Sequence, residues 1–288
     1  MGSKPKYHEG QAPLVRTDVD LSLMTTARTG CTVARLHIPH EGDDLTLLPS
    51  AGGHYLVISN GSNVLATDSR DLGDVIWMGE YDKTILRLSP GVYRVGCSVM
   101  AQTLIREVNA DGYGDIEELI SVPGMLGGLV CMNASIPNRA CISDHLLSVE
   151  AFDGRRFVTL DRDECGFGYR ESRFQDGTWI ILAATFEFPA QEPSISKKRV
   201  DARRARVKEL HDHSAPCFGT VFRKSSGFIM RLARRFRIGK GKSRFSHKTG
   251  NWLCCGGSFL DSLTAIRRVE RLHRLAGKAC DREVVVWE

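Results

Sequence analysis

The chain contains no apolar run approaching the roughly 18 residues that a membrane-crossing helix needs. Its opening stretch, Met1-Gly2-Ser3-Lys4-Pro5-Lys6-Tyr7-His8, is too polar for a secretory signal, so a cytosolic protein is expected. Paired CxxC spacing is missing as well. The nine cysteines, at 31, 97, 131, 141, 165, 217, 254, 255 and 280, are odd in number and scattered. That argues against a disulfide framework and a zinc site, and for buried thiols in a reducing compartment. Internal repeats and low-complexity tracts are absent, which sets aside solenoid and fibrous architectures.

What is present suits a globular protein with a substantial core: 288 residues, 42% hydrophobic and 25% charged, long enough for about two domains. The net charge is only +5, but the basic residues are concentrated. Lys197, Lys198, Arg199, Arg203, Arg204, Arg206 and Lys208 form one cluster; Arg231, Arg234, Arg235, Arg237, Lys240, Lys242 and Arg244 form another. The first reads as a solvated helix face. The second suits a phosphorylated small molecule, nucleic acid, or water alone.

Residues 122–134, Val-Pro-Gly-Met-Leu-Gly-Gly-Leu-Val-Cys-Met-Asn-Ala, read as a loop that cradles a phosphate. Pro123 presets its own φ, while Gly124, Gly127 and Gly128 permit conformations in which successive uncovered N–H groups face an anion. A second candidate phosphate loop, Asn60-Gly61-Ser62-Asn63, follows a short apolar strand in 54–59. Val64-Leu65 returns the chain to the core.

Short strand signals fall in 31–38, 75–78, 84–88 and 92–95, with a helix over 98–108 and a short one over 115–120. Strands are expected over 146–152, 156–160 and 179–188, the first two joined by an Asp153-Gly154 hairpin turn. Pro189 to Pro193 reads as a linker into a charged helix over 194–211. A basic helix over 225–236 follows. The clearest helix spans 258–275, with Ser258 and Asp261 as a capping box, an apolar stripe of Phe259, Leu263 and Ile266, and Gly277 as its stop. The tail 283–287 is a final strand.

Four segments in order resemble the UDP-N-acetylenolpyruvoylglucosamine reductase (MurB) family. Gly61-Ser62-Asn63-Val64-Leu65 is similar to that family's Gly-Gly-Gly-Ser-Asn-x-Leu loop, and Val122 to Ala134 to its Ile-Pro-Gly-x-x-Gly-Gly-x-x-x-Asn-Ala segment. Tyr169-Arg170-Glu171-Ser172-Arg173-Phe174 is similar to its Tyr-Arg-x-Ser-x-Phe signature. The fourth is distributed over Gly219 to Arg223, Ser246-His247-Lys248 with Asn251, and Arg282-Glu283-Val284. The short connection from Phe174 to Trp179 is that of the compact form, without the insertion bearing a lid tyrosine.

The resemblance implies an α+β chain with a two-part FAD-binding fold (PCMH-type) and a smaller α/β substrate-binding domain. Residues 15–72 with the strand 281–288 would be the first FAD-binding part, 73–192 the second, and 193–280 the substrate-binding domain. FAD would be held by Asn60, Gly61, Ser62, Asn63 and Val64 together with Pro123, Gly124, Gly127, Gly128, Asn133 and Ala134. NADPH reduces the flavin in this family, which then reduces the enolpyruvyl ether of a UDP-sugar, a step of peptidoglycan precursor synthesis. Arg170 would clamp the substrate carboxylate, whose side accumulates charge, with a planar fork that lysine lacks. Glu283 would polarise the same group; buried beside an anion, it would carry a raised pKa and act as a neutral donor.

The family's proton donor is usually serine in Gly-Ser-x-Phe, and Thr220 stands at the matching position, with an extra methyl that restricts χ1. Tyr169, Arg223, Lys248 and Asn251 would bind substrate. No metal site and no obligate protein partner are expected. Other departures are Ser59-Asn60 for two loop glycines, Ser135-Ile136-Pro137-Asn138 for a Gly-Ala-Tyr-Gly-like run, and Thr249 for a histidine. Taken singly, Tyr169 reads equally as a core aromatic, Arg170 and Glu283 as an ion pair, and Cys217 as a structural thiol.

Two rival readings keep part of this assignment: the same reaction on another nucleotide-linked enolpyruvyl ether, or a flavin- or nucleotide-binding protein without catalysis. An RNA-binding role is disfavoured. It would require affinity that falls steeply with salt and no bound flavin.

Overall fold

The computed structural model describes residues 10–136 and 139–288; the polar opening stretch and the Pro137-Asn138 departure lie outside them. The chain divides into two compact units. One comprises residues up to Thr17, Arg35–Ser59 and Asp74–Arg199, the other Asp18–Ala34, Asn60–Gly73 and Val200–Glu288.

The first unit is built on a five-stranded antiparallel sheet in the order 157–161, 146–152, 180–187, 92–96, 85–89. Its central strand, Ile180–Glu187, is almost wholly buried, so it reads as a continuous apolar run rather than an alternating one. Asp153 and Gly154 make the expected hairpin turn, with Gly154 in the left-handed region at φ +90°. A second sheet has the strand order 14–20, 32–38, 74–77, 57–58, with parallel pairing of the last two to each other. The strand Leu14–Asp20 carries no sequence signal because it is exposed nearly throughout. Phe152 and Ile180, each 0% exposed, pack with Leu45, Tyr55, Ile76, Met78, Cys97 and Leu182. Each such apolar side chain contributes roughly 1.5–3 kcal/mol by burial.

Three helices belong wholly or partly to this unit: α1 (Ala101–Ala110), α2 (Leu126–Cys131) and α3 (Pro193–Leu210). α1 presents Leu104, Ile105 and Val108 inward at helical spacing. α3 buries only Ser196, which donates to the buried carboxylate of Glu117 at 3.0 Å; Gln191 donates to the same oxygen at 2.6 Å. Its basic face is exposed, as expected for a polar helix.

In the second unit α4 (Gly227–Arg235) and α5 (Phe259–Leu275) enclose a core of Leu65, Phe218, Val221, Phe222, Phe245, Leu253, Leu263, Ile266 and Val269. The α5 start is fixed twice: Ser258 Oγ accepts from Asp261 N, and Asp68 accepts from Phe259 N at 2.9 Å. The basic stretch 237–248, read from sequence only as a charge cluster, contributes strands 239–240 and 243–245 to a three-stranded sheet completed by 253–254. Strand Val285–Trp287 pairs in parallel with Val64–Ala66 (Val285 opposite Val64), so the end of the chain closes on the first glycine-bearing loop.

Candidate functional site

The site residues fall into two groups, one per unit. In the first unit, the stretch that sequence marks as an open loop is partly helix: Leu126, Leu129 and Val130 are buried at helical spacing and wind it into α2. The expected run of uncovered N–H groups is therefore corrected. Gly124 N donates to Val122 O, Leu126 N to Val99 O at 2.8 Å and Gly127 N to Cys97 O at 3.0 Å. Between Gly124 and Gly128, the N–H groups of Met125 and Gly128 lack a protein acceptor among the described residues. A Cβ at Gly128 would press on Ser59 Oγ at 3.2 Å, so the glycine keeps this approach open.

The same stretch ends at Asn133, whose Nδ2 donates to Gly168 O at 2.7 Å. That bond ties it to the tight turn in which Gly168 and Glu171 exchange backbone hydrogen bonds of 3.0 and 3.2 Å. Arg170 sits inside this turn at φ +58°, left-handed and uncommon for arginine, and its Nη2 donates to Ser135 O at 2.7 Å. Tyr169 beside it is 59% exposed, which sets aside the core-aromatic reading. Asn133, Gly168 and Tyr169 line a cavity of about 570 Å³ with Ser135, Cys141 and Phe167. The Ser135 hydroxyl is buried there without a hydrogen-bond partner among the described residues. A polar group left so is one a ligand can satisfy.

The second unit holds the other group. Gly61 is left-handed at φ +57°, and a Cβ there would collide with Met24 O; its own carbonyl accepts from Thr26 N at 3.1 Å. Glycine is required here for the loop to pack on 24–26. The N–H groups of Gly61, Ser62 and Asn63 have no protein acceptor among the described residues, so this loop presents the consecutive donors that the longer stretch does not. Asn63 Nδ2 donates to Glu283 O at 3.0 Å, and Val285 N to Asn63 O at 3.0 Å.

Thr220 and Glu283, far apart in sequence, are brought to one place through Val221, whose carbonyl accepts from Glu283 N at 2.9 Å. Arg223 lies half-buried on strand Phe222–Lys224, which pairs with Asp281–Arg282. Asn251 spends its side chain on Phe222, and exposed Lys248 donates from Nζ to Lys208 O at 3.3 Å. Part of the second basic cluster, Arg237, Lys240 and Arg244, lines a smaller cavity of about 390 Å³ with Arg268. Burial pushes the Cys217 thiol up, which suits a structural cysteine rather than a thiolate nucleophile.

Sequence reasoning missed Asp212, 4% exposed, which anchors the turn carrying Lys248. Its carboxylate accepts from Ser214 Oγ at 2.6 Å, Ser246 Oγ at 2.5 Å and Cys254 Sγ at 3.4 Å, and Ser246 Oγ in turn accepts from Lys248 N and Thr249 N. Burial alone would raise its pKa, but the Ser214 and Ser246 donors outweigh it and hold the carboxyl well below the usual range. A depressed folded-state pKa stabilises fully above the unfolded value, about 4, and that stability is lost as pH falls from there through the folded value. Thermal midpoints measured against pH should therefore drop below about pH 4. Asp212→Asn should flatten that acid limb while costing about 1–3 kcal/mol at neutral pH.

This geometry can be set beside known proteins. The chain is 29% identical over 237 residues to the UDP-N-acetylenolpyruvoylglucosamine reductase of Chlamydia muridarum, covering 80% of this chain and 78% of that protein. It is 27% identical over 288 residues to the reductase of Moorella thermoacetica, covering 95% and 93%. No protein-family model matches it. The crystal structure of UDP-N-acetylenolpyruvylglucosamine reductase (MurB) from Thermus caldophilus superposes with a TM-score of 0.78 at 25% identity, over 96% of this chain and 100% of that one. These likenesses, spanning nearly the whole chain, support the MurB family. The chain's α+β fold is the MurB fold, as the four motifs imply. Among the described residues no helix is long and apolar enough to cross a membrane.

Proposed function

We propose that the chain reduces the enolpyruvyl ether of UDP-N-acetylglucosamine to UDP-N-acetylmuramate in the cytoplasm, with FAD as cofactor and NADPH as reductant, in peptidoglycan precursor synthesis. The observation that carries this reading is the likeness to MurB along nearly the whole chain, with arginine and glutamate at the motif positions Arg170 and Glu283 and a hydroxyl at Thr220.

The residues present suit a dinucleotide. The consecutive N–H groups of Gly61, Ser62 and Asn63 are donors for pyrophosphate oxygens, and in the other unit the Gly128 N–H is a donor for a ligand. Pro123, Gly124, Asn133 and Ala134 shape the second stretch, and Asn60 and Val64 flank the first. In the functional division we propose, residues 15–72 with 281–288 and residues 73–192 hold FAD, and 193–280 bind the nucleotide-sugar. FAD, when bound, supplies the hydride chemistry.

The remaining work falls to side chains. Arg170, braced by Ser135 O, directs its fork at the substrate carboxylate, where negative charge builds during attack. Glu283 polarises the same carboxyl group. Thr220 Oγ1 delivers the proton to the carbon that does not receive hydride, so one hydride and one proton add across the vinyl bond. Arg223 and Lys248 neutralise phosphate on the substrate or on NADPH, and Tyr169 lies against the sugar-nucleotide. The test is NADPH oxidation by flavin-loaded protein with the enolpyruvyl ether of UDP-N-acetylglucosamine. Substrate-dependent oxidation yielding UDP-N-acetylmuramate is expected; its absence would overturn the assignment. Turnover on a different nucleotide-linked enolpyruvyl ether would shift the reading to that substrate, the direction in which threonine at 220 points.

A further inference from the structure

Asn251 was expected from its motif to touch substrate, but its side chain is occupied elsewhere. Its Oδ1 accepts from Phe222 N at 3.1 Å, and its Nδ2 donates to Phe222 O at 2.6 Å. The side-chain amide therefore pairs with both polar groups of Phe222 as a neighbouring strand would. Its backbone adds a third bond, since Val221 N donates to Asn251 O at 3.1 Å. To reach this geometry Asn251 adopts φ +54°, a left-handed conformation that asparagine tolerates better than most residues. Next to it Trp252 pairs with Thr220 as an isolated bridge.

The opposite side of the same peptide faces the other reacting group. Val221 O accepts from Glu283 N at 2.9 Å and from Val284 N at 3.4 Å, while Asn63 Nδ2 holds Glu283 O at 3.0 Å. Val221 and Phe222 are buried, at 0% and 2% exposure, so water cannot substitute for these partners. Thr220 is thus joined through the chain to Val221, which is hydrogen-bonded to Glu283, and Asn251 holds the other edge of that peptide.

We propose that Asn251 is a positioning residue for the reduction step: by clamping the Phe222 peptide it fixes the Thr220 hydroxyl and, through Val221, the Glu283 backbone, without touching substrate. The inference rests on the function proposed above. Displacement of a reacting group by about 1 Å can cost on the order of 10²-fold in rate, so a clamp of this kind is felt in catalysis before it is felt in binding.

The test uses flavin-loaded protein and the variants Asn251→Gly and Asn251→Asp. Glycine accepts the left-handed conformation and keeps the turn while deleting the clamp. Aspartate keeps an acceptor for Phe222 N but sets a carboxylate oxygen against Phe222 O. In both, reduction of the bound flavin by NADPH should keep the parent rate. Reoxidation of the reduced flavin by the enolpyruvyl substrate should slow by about 10–100-fold, with KM little changed. Amide exchange at Phe222 and Glu283 should accelerate. Unchanged exchange at those amides would overturn the clamp whatever the enzyme does. A raised KM with kcat preserved would overturn it too, showing a direct substrate contact. If the parent protein bleaches with NADPH but is not reoxidised, the functional reading falls, and the exchange comparison still decides the clamp.

Discussion

Replacing Arg170 by lysine should lower kcat/KM for the enolpyruvyl ether by about 10²–10³-fold, the usual loss when one preorganised donor to a developing charge is removed. Charge is conserved in this change; geometry is not. Arg170 stands in a turn locked by the mutual bonds of Gly168 and Glu171 and by Asn133 Nδ2 on Gly168 O. One guanidinium nitrogen is already committed to Ser135 O, which aims the rest of the fork. Lysine offers a point charge on a flexible stem and can neither brace itself on Ser135 O and present a planar pair of donors together, nor keep the direction of approach. Steady-state kinetics and the thermal midpoint should be measured on the same preparation. A folded Arg170→Lys enzyme that retains the parent kcat/KM would remove Arg170 from the chemistry.

Removing the hydroxyl at 220 should give the second large effect. Thr220→Ala is expected to slow reoxidation of the reduced flavin by about 10²–10⁴-fold, the range of a lost general acid, while reduction by NADPH continues at the parent rate. Thr220→Ser is the informative companion. It keeps Oγ, deletes the methyl that restricts χ1, and restores the residue usual in the family, so it should react at least as fast as the parent. Val221 N and O remain bonded to Asn251 and Glu283 in both variants, because those are backbone contacts. Rapid mixing of reduced enzyme with substrate separates the two half-reactions. Equal reoxidation rates for alanine and threonine would exclude the hydroxyl as proton donor.

The fold was most legible where local chemistry and tertiary context agree. α5 is such a case: Ser258 caps it, Phe259, Leu263 and Ile266 make its buried stripe, and Gly277 follows its end at φ +61°. The central strand Ile180–Glu187 was legible too, because burial on both faces leaves a continuous apolar run. The stretch 122–134 departs in part from its sequence signal. Its glycines signal a loop, but Leu126, Leu129 and Val130 are drawn into the core and impose helical spacing, and the carbonyls of Cys97 and Val99 take N–H groups that a ligand would need. Nothing within that segment announces those partners. The N–H groups of the shorter loop at Gly61 have no protein acceptor among the described residues, and strand Val64–Ala66 begins immediately after it.

The chemistry-bearing residues show the same division. The family resemblance groups Arg170, Thr220 and Glu283 as the expected catalytic set, but Asn63 meets Glu283 across 220 positions of sequence and Asn251 meets Phe222 across 29. Their side chains, expected on ligand, are turned to backbone. Asp212 carried no signal at all, since a lone aspartate between histidines has no motif, and its value comes from Ser214, Ser246 and Cys254 converging on it.

In the proposed function, this chain holds FAD and passes reducing equivalents from NADPH to an enolpyruvyl ether. Visible absorption of the purified protein, recorded anaerobically before NADPH, after it, and after adding the enolpyruvyl ether of UDP-N-acetylglucosamine, tests it most directly. An oxidised flavin spectrum that bleaches with NADPH and returns on addition of the substrate is expected. A colourless protein that binds no added FAD, or a bound flavin that NADPH leaves oxidised, would contradict it.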